Sequence, residues 1–250
     1  MIRKTLFVAA ALLCVVAVQA QTLDEILTNY FENTGGVDKW RAVEGIQMEA
    51  KLNQQGMELP LTIVQLKDGR QMTSISFQGK EIKQGVYDGS TLWGTNFMNM
   101  KAEKSDAEAT ENFKRNLGDF PDPFLDYAKK GYKAELMGKE TVEGTETFKI
   151  KLTKKPVLVD GKEEENISYY FFDVDNFVPI MVESEVKSGP AKGMVSQSTM
   201  SDYQEVSGLM MPFSMTQGVK GSPGQPITMT SIVVNPTVDG AVFKFPEEQK

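Results

Sequence analysis

The chain has 250 residues, one cysteine and no histidine, and its 27 basic side chains are outnumbered by 34 acidic ones, a net charge of −7. Without histidine and with so little cysteine, the usual zinc sites and the Ser–His or Cys–His nucleophiles cannot be built. The acidic balance leaves no electrostatic footprint for nucleic acid or anionic membrane surfaces.

Residues 1–20 have the form of a secretory signal peptide. Arg3 and Lys4 precede an apolar run over Leu6–Val18, and Val18-Gln19-Ala20 places small residues before a cleavage point at Gln21. Acylation at Cys14 is the alternative, but Leu13 precedes that cysteine and the apolar run continues beyond it. Cleavage after Ala20 predicts an exported protein and removes the one cysteine, so no disulfide framework is expected. No second apolar segment is long enough to span a bilayer. The remaining residues 21–250 suit one domain and are expected to be monomeric.

Thr22-Leu23-Asp24-Glu25 is a capping box. Leu23, Ile26, Leu27, Tyr30 and Phe31 then form one apolar helical stripe that Gly35-Gly36 stops. Val37–Val43 adds a short turn of helix tucking Trp40 inward. Apolar and polar residues next alternate in segments predicted as strands near 46–53, 58–67, 70–78, 81–87, 91–96, 132–140, 145–154, 167–173, 178–187, 193–204, 209–218 and 226–234. Turn pairs such as Asp68-Gly69, Asp88-Gly89, Glu143-Gly144 and Ser207-Gly208 separate them. Short connections favour antiparallel neighbours, hence a mainly β (α+β) meander of about 11 or 12 strands that curls toward a barrel or half-barrel. One interruption, residues 105–130, predicts two short helices, Ser105–Leu117 and Phe124–Lys130, around the breaker Gly118-Asp119-Phe120-Pro121-Asp122-Pro123. These helices form either a lid or a plug for a barrel end.

Little in the chain points to catalysis. A phosphate-cradling GxxxxGK[ST] loop is missing. Asp173-Val174-Asp175-Asn176 lacks the ligand and glycine spacing of a calcium loop and reads as a tight turn. Glu163-Glu164-Glu165 reads as a solvated loop. Carboxylate pairs suffice for a glycosidase, but none sits in an apolar context that marks a raised pKa. No cofactor, metal or enzymatic activity is expected. The 14 methionines, many on strand positions with aromatics, either fill an ordinary core or form an adaptable ligand wall. A sheet of about 11 strands leaves room for a cavity that eight strands would fill.

Four segments in order resemble the LolA/LolB-like lipoprotein-sorting family of exported lipoprotein carriers. Tyr87-Asp88-Gly89-Ser90-Thr91-Leu92-Trp93 resembles its (Y/S)DG-x-T-x-W turn, and Phe172-Asp173-Val174-Asp175-Asn176-Phe177-Val178-Pro179 its F-D-x-x-x-x-x-P hairpin. The segment from Ser201-Asp202-Tyr203 to Pro212-Phe213 is similar to SDY-x-x-V-x-G-x-x-(F/Y)P, and Asn235 to Pro246 is similar to the family's closing segment.

The resemblance implies an unclosed half-barrel with an N-terminal helix, a helical lid at 105–130 and a cavity for lipoprotein acyl chains. That cavity would be lined by Met48, Ala50, Leu52, Leu61, Ile63, Ile75, Phe77, Trp93, Ile150, Leu152, Phe171, Met200, Met211, Phe213 and Met215, under lid residues Phe113, Leu117, Phe124 and Leu125. It also implies loading by an inner-membrane ABC exporter and delivery to an outer-membrane acceptor. In the family a basic residue before a proline fastens the lid. The corresponding turn here, Lys67-Asp68-Gly69-Arg70, lacks the proline and offers Lys67 and Arg70 as the candidates. A lipid-sensing regulatory domain of the same fold is the alternative reading. Such sensors carry a second domain or anchor, which is not expected in a chain that ends at Lys250. A carboxylate-dependent all-β hydrolase is the third.

Overall fold

The structure, a computed structural model, describes residues 21–246; the leader expected at 1–20, with Cys14, lies outside the described residues. Helix α1 (Leu23–Asn33) begins at the capping box, where the Glu25 amide donates to Thr22 Oγ1 (3.3 Å) and the Thr22 amide donates to the Glu25 carboxylate (2.8 Å). Its stripe Ile26, Leu27, Tyr30 and Phe31 is buried. The helix stops at Gly35, whose φ is +116°; a Cβ there would lie 2.2 Å from the Gly208 carbonyl oxygen, so only glycine fits. Helix α2 (Val37–Arg41) turns Trp40 inward, with its indole N–H donating to Thr34 Oγ1 at 3.0 Å.

The strands are β1 (Gly45–Gln54), β2 (Met57–Leu66), β3 (Gln71–Phe77), β4 (Lys80–Tyr87), β5 (Leu92–Thr95), β6 (Ala102–Lys104), β7 (Lys133–Val142), β8 (Thr145–Thr153), β9 (Val157–Val159), β10 (Lys162–Glu164), β11 (Ile167–Asp173), β12 (Pro179–Glu185), β13 (Val195–Val206), β14 (Leu209–Val219) and β15 (Gln225–Val234). Thirteen of them make one antiparallel sheet in the order β6-β5-β4-β3-β2-β1-β15-β14-β13-β12-β11-β8-β7, while β9 and β10 form a separate hairpin. The first six strands step outward from β1 to one edge. The chain then crosses to the opposite edge, and the later strands step back until β15 pairs with β1 at the centre. The edges β6 and β7 are not paired, so the sheet is not closed into a barrel.

All the expected strands form, but the count was low. Strands β6, β9 and β10 have three residues each, too short to show alternation, and two residues of the expected Glu163–Glu165 loop lie on β10. The expected turn at Asp173 is present: its Oδ1 accepts from the amides of Asp175 and Asn176, both at 2.8 Å.

Period-two alternation gives the sheet an inner face carrying the largest core cluster. Cross-strand pairs on it include Ala50 with Leu61, Leu61 with Ile75, Tyr170 with Ile150 and Phe172 with Phe148. In β15 the inward residues change phase. Ile227 and Met229 face in, and so do Ile232 and Val234, because Ser231 pairs with Glu49 and Met229 with Ala50, leaving Thr230 as a bulge. The outer face carries two smaller clusters. One of them packs Val64, Met72, Val86 and Trp93 against Phe243.

A lid clamped over the inner face

The edge-to-edge crossover starts with helix α3 (Ala107–Arg115), capped by Asp106, whose carboxylate accepts the Ala109 amide at 2.7 Å. Phe113 packs on Tyr87 with ring centroids 4.8 Å apart, and Leu117 lies over Gly69, where an added Cβ would come within 3.1 Å. Both are half-buried and stand outside the main cluster. The second helix expected at Phe124–Lys130 does not form. Successive turns replace it, with Leu125 N donating to Asp122 O and Tyr127 N to Phe124 O, both at 3.2 Å. The Asp122 side chain takes the amides of Phe124 (2.8 Å) and Leu125 (3.2 Å), and Asp126 has φ +52°, which ends any helical run.

Phe124 and Leu125 are buried on the inner face. The Phe124 ring meets Tyr170 and Phe172 edge-on at 4.8 and 5.5 Å, and Tyr30 of α1 meets Phe172 at 5.3 Å. The lid and α1 therefore share one aromatic nest above β8 and β11.

Most of the residues expected to line a cavity are brought together here. Ala50, Leu52, Leu61, Ile150, Leu152 and Met211 are buried in the main cluster, and Met48, Ile63, Ile75, Phe77, Phe213 and Met215 pack around it. Three lie outside it. Trp93 points to the outer face, where its indole donates to the Phe243 carbonyl at 2.9 Å. Phe171 lies in an outer cluster with Val142 and Met181, with Lys149 Nζ 5.2 Å from its ring. Tyr169-Tyr170-Phe171-Phe172 is apolar on both faces, so alternation could not choose between them; Tyr170 and Phe172 are the inward pair. Met200 is outside the main cluster and lines a 490 Å³ cleft with Tyr203, Ile180 and Met210.

Neither Lys67 nor Arg70 is paired with the lid. Lys67 bonds Glu44 and the Arg41 carbonyl. Arg70 pairs with Asp68 at 2.8 Å and sits 5.4 Å from the Phe243 ring. The clamps instead come from three aspartates within the lid. Asp119 holds Lys154 and accepts the Tyr132 hydroxyl at 2.9 Å. Asp122 is buried and accepts the Tyr30 hydroxyl at 2.7 Å, while its own carbonyl receives Lys130 Nζ at 2.7 Å. Asp126 takes a two-pronged contact from Arg41, Nε at 3.1 Å and Nη2 at 2.9 Å.

Burial pushes the Asp122 carboxyl above its ordinary value, against the pull of its hydrogen bonds and of Lys130. The Arg41 guanidinium, with Lys129, holds Asp126 well below the ordinary carboxylate range. The sequence cue for these clamps was a lone aspartate between two prolines, Pro121-Asp122-Pro123.

Two cavities flank the lid. A 550 Å³ groove between α1 and the lid turns is lined by Leu27, Phe31, Val37, Phe124 and Tyr127, with Asp126 and Lys129 on its rim. A smaller one of 270 Å³ under α3 is lined by Gln65, Gln71, Phe113, Asn116 and Leu117. Beneath the lid the inner face is shut, since Ile26, Ile150 and Leu152 have no exposed surface. Among the described residues no group of three or more acidic or cysteine side chains is placed to hold a metal ion.

No protein-family model and no curated protein matches the chain. Solved structures do match in fold. The crystal structure of a DUF1329 family protein from Desulfovibrio piger aligns with a TM-score of 0.52 at 16% identity, covering 88% of this chain and 97% of the other. That of a LolA superfamily protein from Nitrosomonas europaea aligns with a TM-score of 0.51 at 13% identity, covering 90% of this chain and 98% of the other. The fold is LolA-like. In this LolA-like fold the open sheet, the helix α1 and the crossover lid surround one apolar face.

Proposed function

We propose that the protein is a periplasmic carrier that binds the acyl chains of lipoproteins or related lipids between the inner face and the lid and shuttles them toward the outer membrane. In this reading an inner-membrane ABC exporter loads it, an outer-membrane acceptor unloads it, and it performs no catalysis. The observation that carries the reading is the covering of the inner face. The lid buries Phe124 and Leu125 fully and Phe120 and Tyr127 partly against the inner face, and polar clamps at Asp119, Asp122 and Asp126 hold it in place. Clamps of this kind can open without dismantling the sheet beneath them. Burying Phe124 and Leu125 is worth roughly 3–6 kcal/mol, whereas an acyl chain of about 16 carbons gains on the order of 13 kcal/mol on leaving water. Cargo of that kind can displace the lid and take its place. Among the described residues no helix is long and apolar enough to cross a membrane.

Native mass spectrometry of protein purified from the periplasm tests the proposal. Co-purifying acylated species are expected, together with binding of an apolar dye after delipidation. Empty protein in every preparation, with no dye binding, would overturn it.

A further inference from the structure

Where the lid meets α1, one hydrogen bond joins two buried groups. The Tyr30 hydroxyl donates to Asp122 Oδ2 at 2.7 Å, and both residues are buried. The other carboxylate oxygen, Oδ1, stays within the lid on the amides of Phe124 and Leu125. Oδ2 is therefore the oxygen that the lid offers to α1. The Tyr30 ring leans on Phe172, with centroids 5.3 Å apart, and Phe124 of the lid lies against that same Phe172 and against Tyr170. The lid thus lays an acceptor oxygen on the inner face and, just beyond it, the apolar Phe124 and Leu125. That is the outline of a fatty acyl group: one carbonyl-like oxygen followed by hydrocarbon.

From this geometry we propose that the Tyr30 hydroxyl is the polar anchor of the ligand site, donating to the ester carbonyl oxygen of an acyl ligand where it donates to Asp122 in the closed form. The inference rests on the carrier reading, in which the acyl chain displaces the lid. When the lid lifts, Asp122 leaves with it, and the hydroxyl is left beside Phe31 and Phe172. A donor stranded in such surroundings costs more than the hydrogen bond itself contributes. A bare hydrocarbon offers it no acceptor. An ester does, with its chain running past Phe172 and Tyr170 in the place of Phe124. An amide would strand its own N–H among these rings, so its head stays in water. Burial and the neighbouring Asp122 push the Tyr30 hydroxyl well above the ordinary tyrosine range, which keeps its proton available to donate. The Tyr203 hydroxyl is already engaged elsewhere. It donates to the Pro179 carbonyl at 2.5 Å, a bond to which the lid contributes nothing.

The test is displacement of an apolar dye from the delipidated protein by three ligands of matched length, methyl palmitate, N-methylpalmitamide and octadecane, each delivered from cyclodextrin. Tyr30→Phe keeps the ring and removes the hydroxyl. It should weaken methyl palmitate about ten-fold relative to octadecane. Any loosening of the lid in this variant acts on every ligand alike, so the ratio reports the hydroxyl. N-methylpalmitamide should keep its ratio to octadecane, and weakening equal to that of the ester would overturn the ester assignment. Tyr203→Phe should leave all the ratios unchanged. An ester ratio that survives Tyr30→Phe, or that falls equally in Tyr203→Phe, would overturn the proposal and leave the carrier reading standing, because acyl chains still bind. Protein that takes up neither dye nor any of the three ligands would overturn both. Infrared spectroscopy of the unsubstituted protein reads the same bond without a variant, should Tyr30→Phe fail to fold. The carbonyl stretch of bound methyl palmitate should lie below its position in an alkane solvent, and an unshifted band would overturn the proposal.

Discussion

At the residue scale, the three lid aspartates do different electrostatic work. Asp126 and Arg41 form a partly exposed pair that solvent screens, so its loss should loosen the lid without unfolding the protein. Asp126→Ala is expected to speed apolar-dye uptake roughly two- to five-fold with little change in Tm, as measured by stopped-flow fluorescence and calorimetry. Asp122 differs because it is buried. Its folded pKa is raised above the ordinary 3.8, so its proton stabilises the fold fully below that value, and this contribution is lost as pH rises through the raised value. Asp126, with its lowered pKa, contributes stability that is present above 3.8 and lost as pH falls toward its folded value. The Asp122→Asn variant cannot titrate and so should gain stability relative to the parent as pH goes from about 3 to 7. A difference in Tm that stays flat over that range would show that the Asp122 pKa is not raised in the folded protein. Sequence alone gave little access to these roles: Lys67 and Arg70 were the candidates by analogy of position, and nothing local marks Arg41 or Tyr30 as their replacements.

At the element scale, phase is what the fold depends on. Deleting Thr230 removes the bulge in β15 and leaves Met229 opposite Ala50 and Ser231 opposite Glu49 in unbroken alternation, so Ile227, Met229, Ile232 and Val234 all keep the inner face. The deletion variant is therefore expected to fold with a cooperative thermal transition; loss of that transition would contradict this. Lid turns and α3 should separate in their dynamics. Phe124→Ala removes the lid's main anchor, at a cost of about 3–5 kcal/mol to the closed form. Hydrogen exchange is expected to accelerate across 120–131 while α3 stays protected, because Asn112 ties α3 to β9 through both the amide and the carbonyl of Leu158. The long strands and α1 were legible because their apolar residues recur at a period of two or 3.6 between clear turn signals. Over 124–130 the apolar spacing also looked helical, but a side chain reaching back to its own backbone outweighed it. Tyr169–Phe172 marks the same boundary from another side: where both faces are apolar, the pattern carries no direction.

At the scale of the whole molecule, the proposed function requires that an acyl ligand first open the closed lid and then stabilise the structure. Titrating a long-chain acyl probe to about 100 times its Kd should raise stability by about 2.7 kcal/mol, seen as a ligand-dependent rise in Tm. An unchanged Tm at saturation would show that the probe does not favour the folded form. The pairing of β1 with β15 has its own consequence for how the chain reaches this state. The central seam of the sheet joins Ile46 to Val234, nearly the full length of the described chain apart. The hairpins on either side can form early, but the strand that knits the two halves is among the last to be synthesised, and contacts of such separation form slowly. Until residue 234 emerges, the polypeptide has no complete sheet to lock. A chain built this way keeps the facing edges of β1 and β14 unpaired until synthesis is nearly complete, and its final fold is deferred to that point.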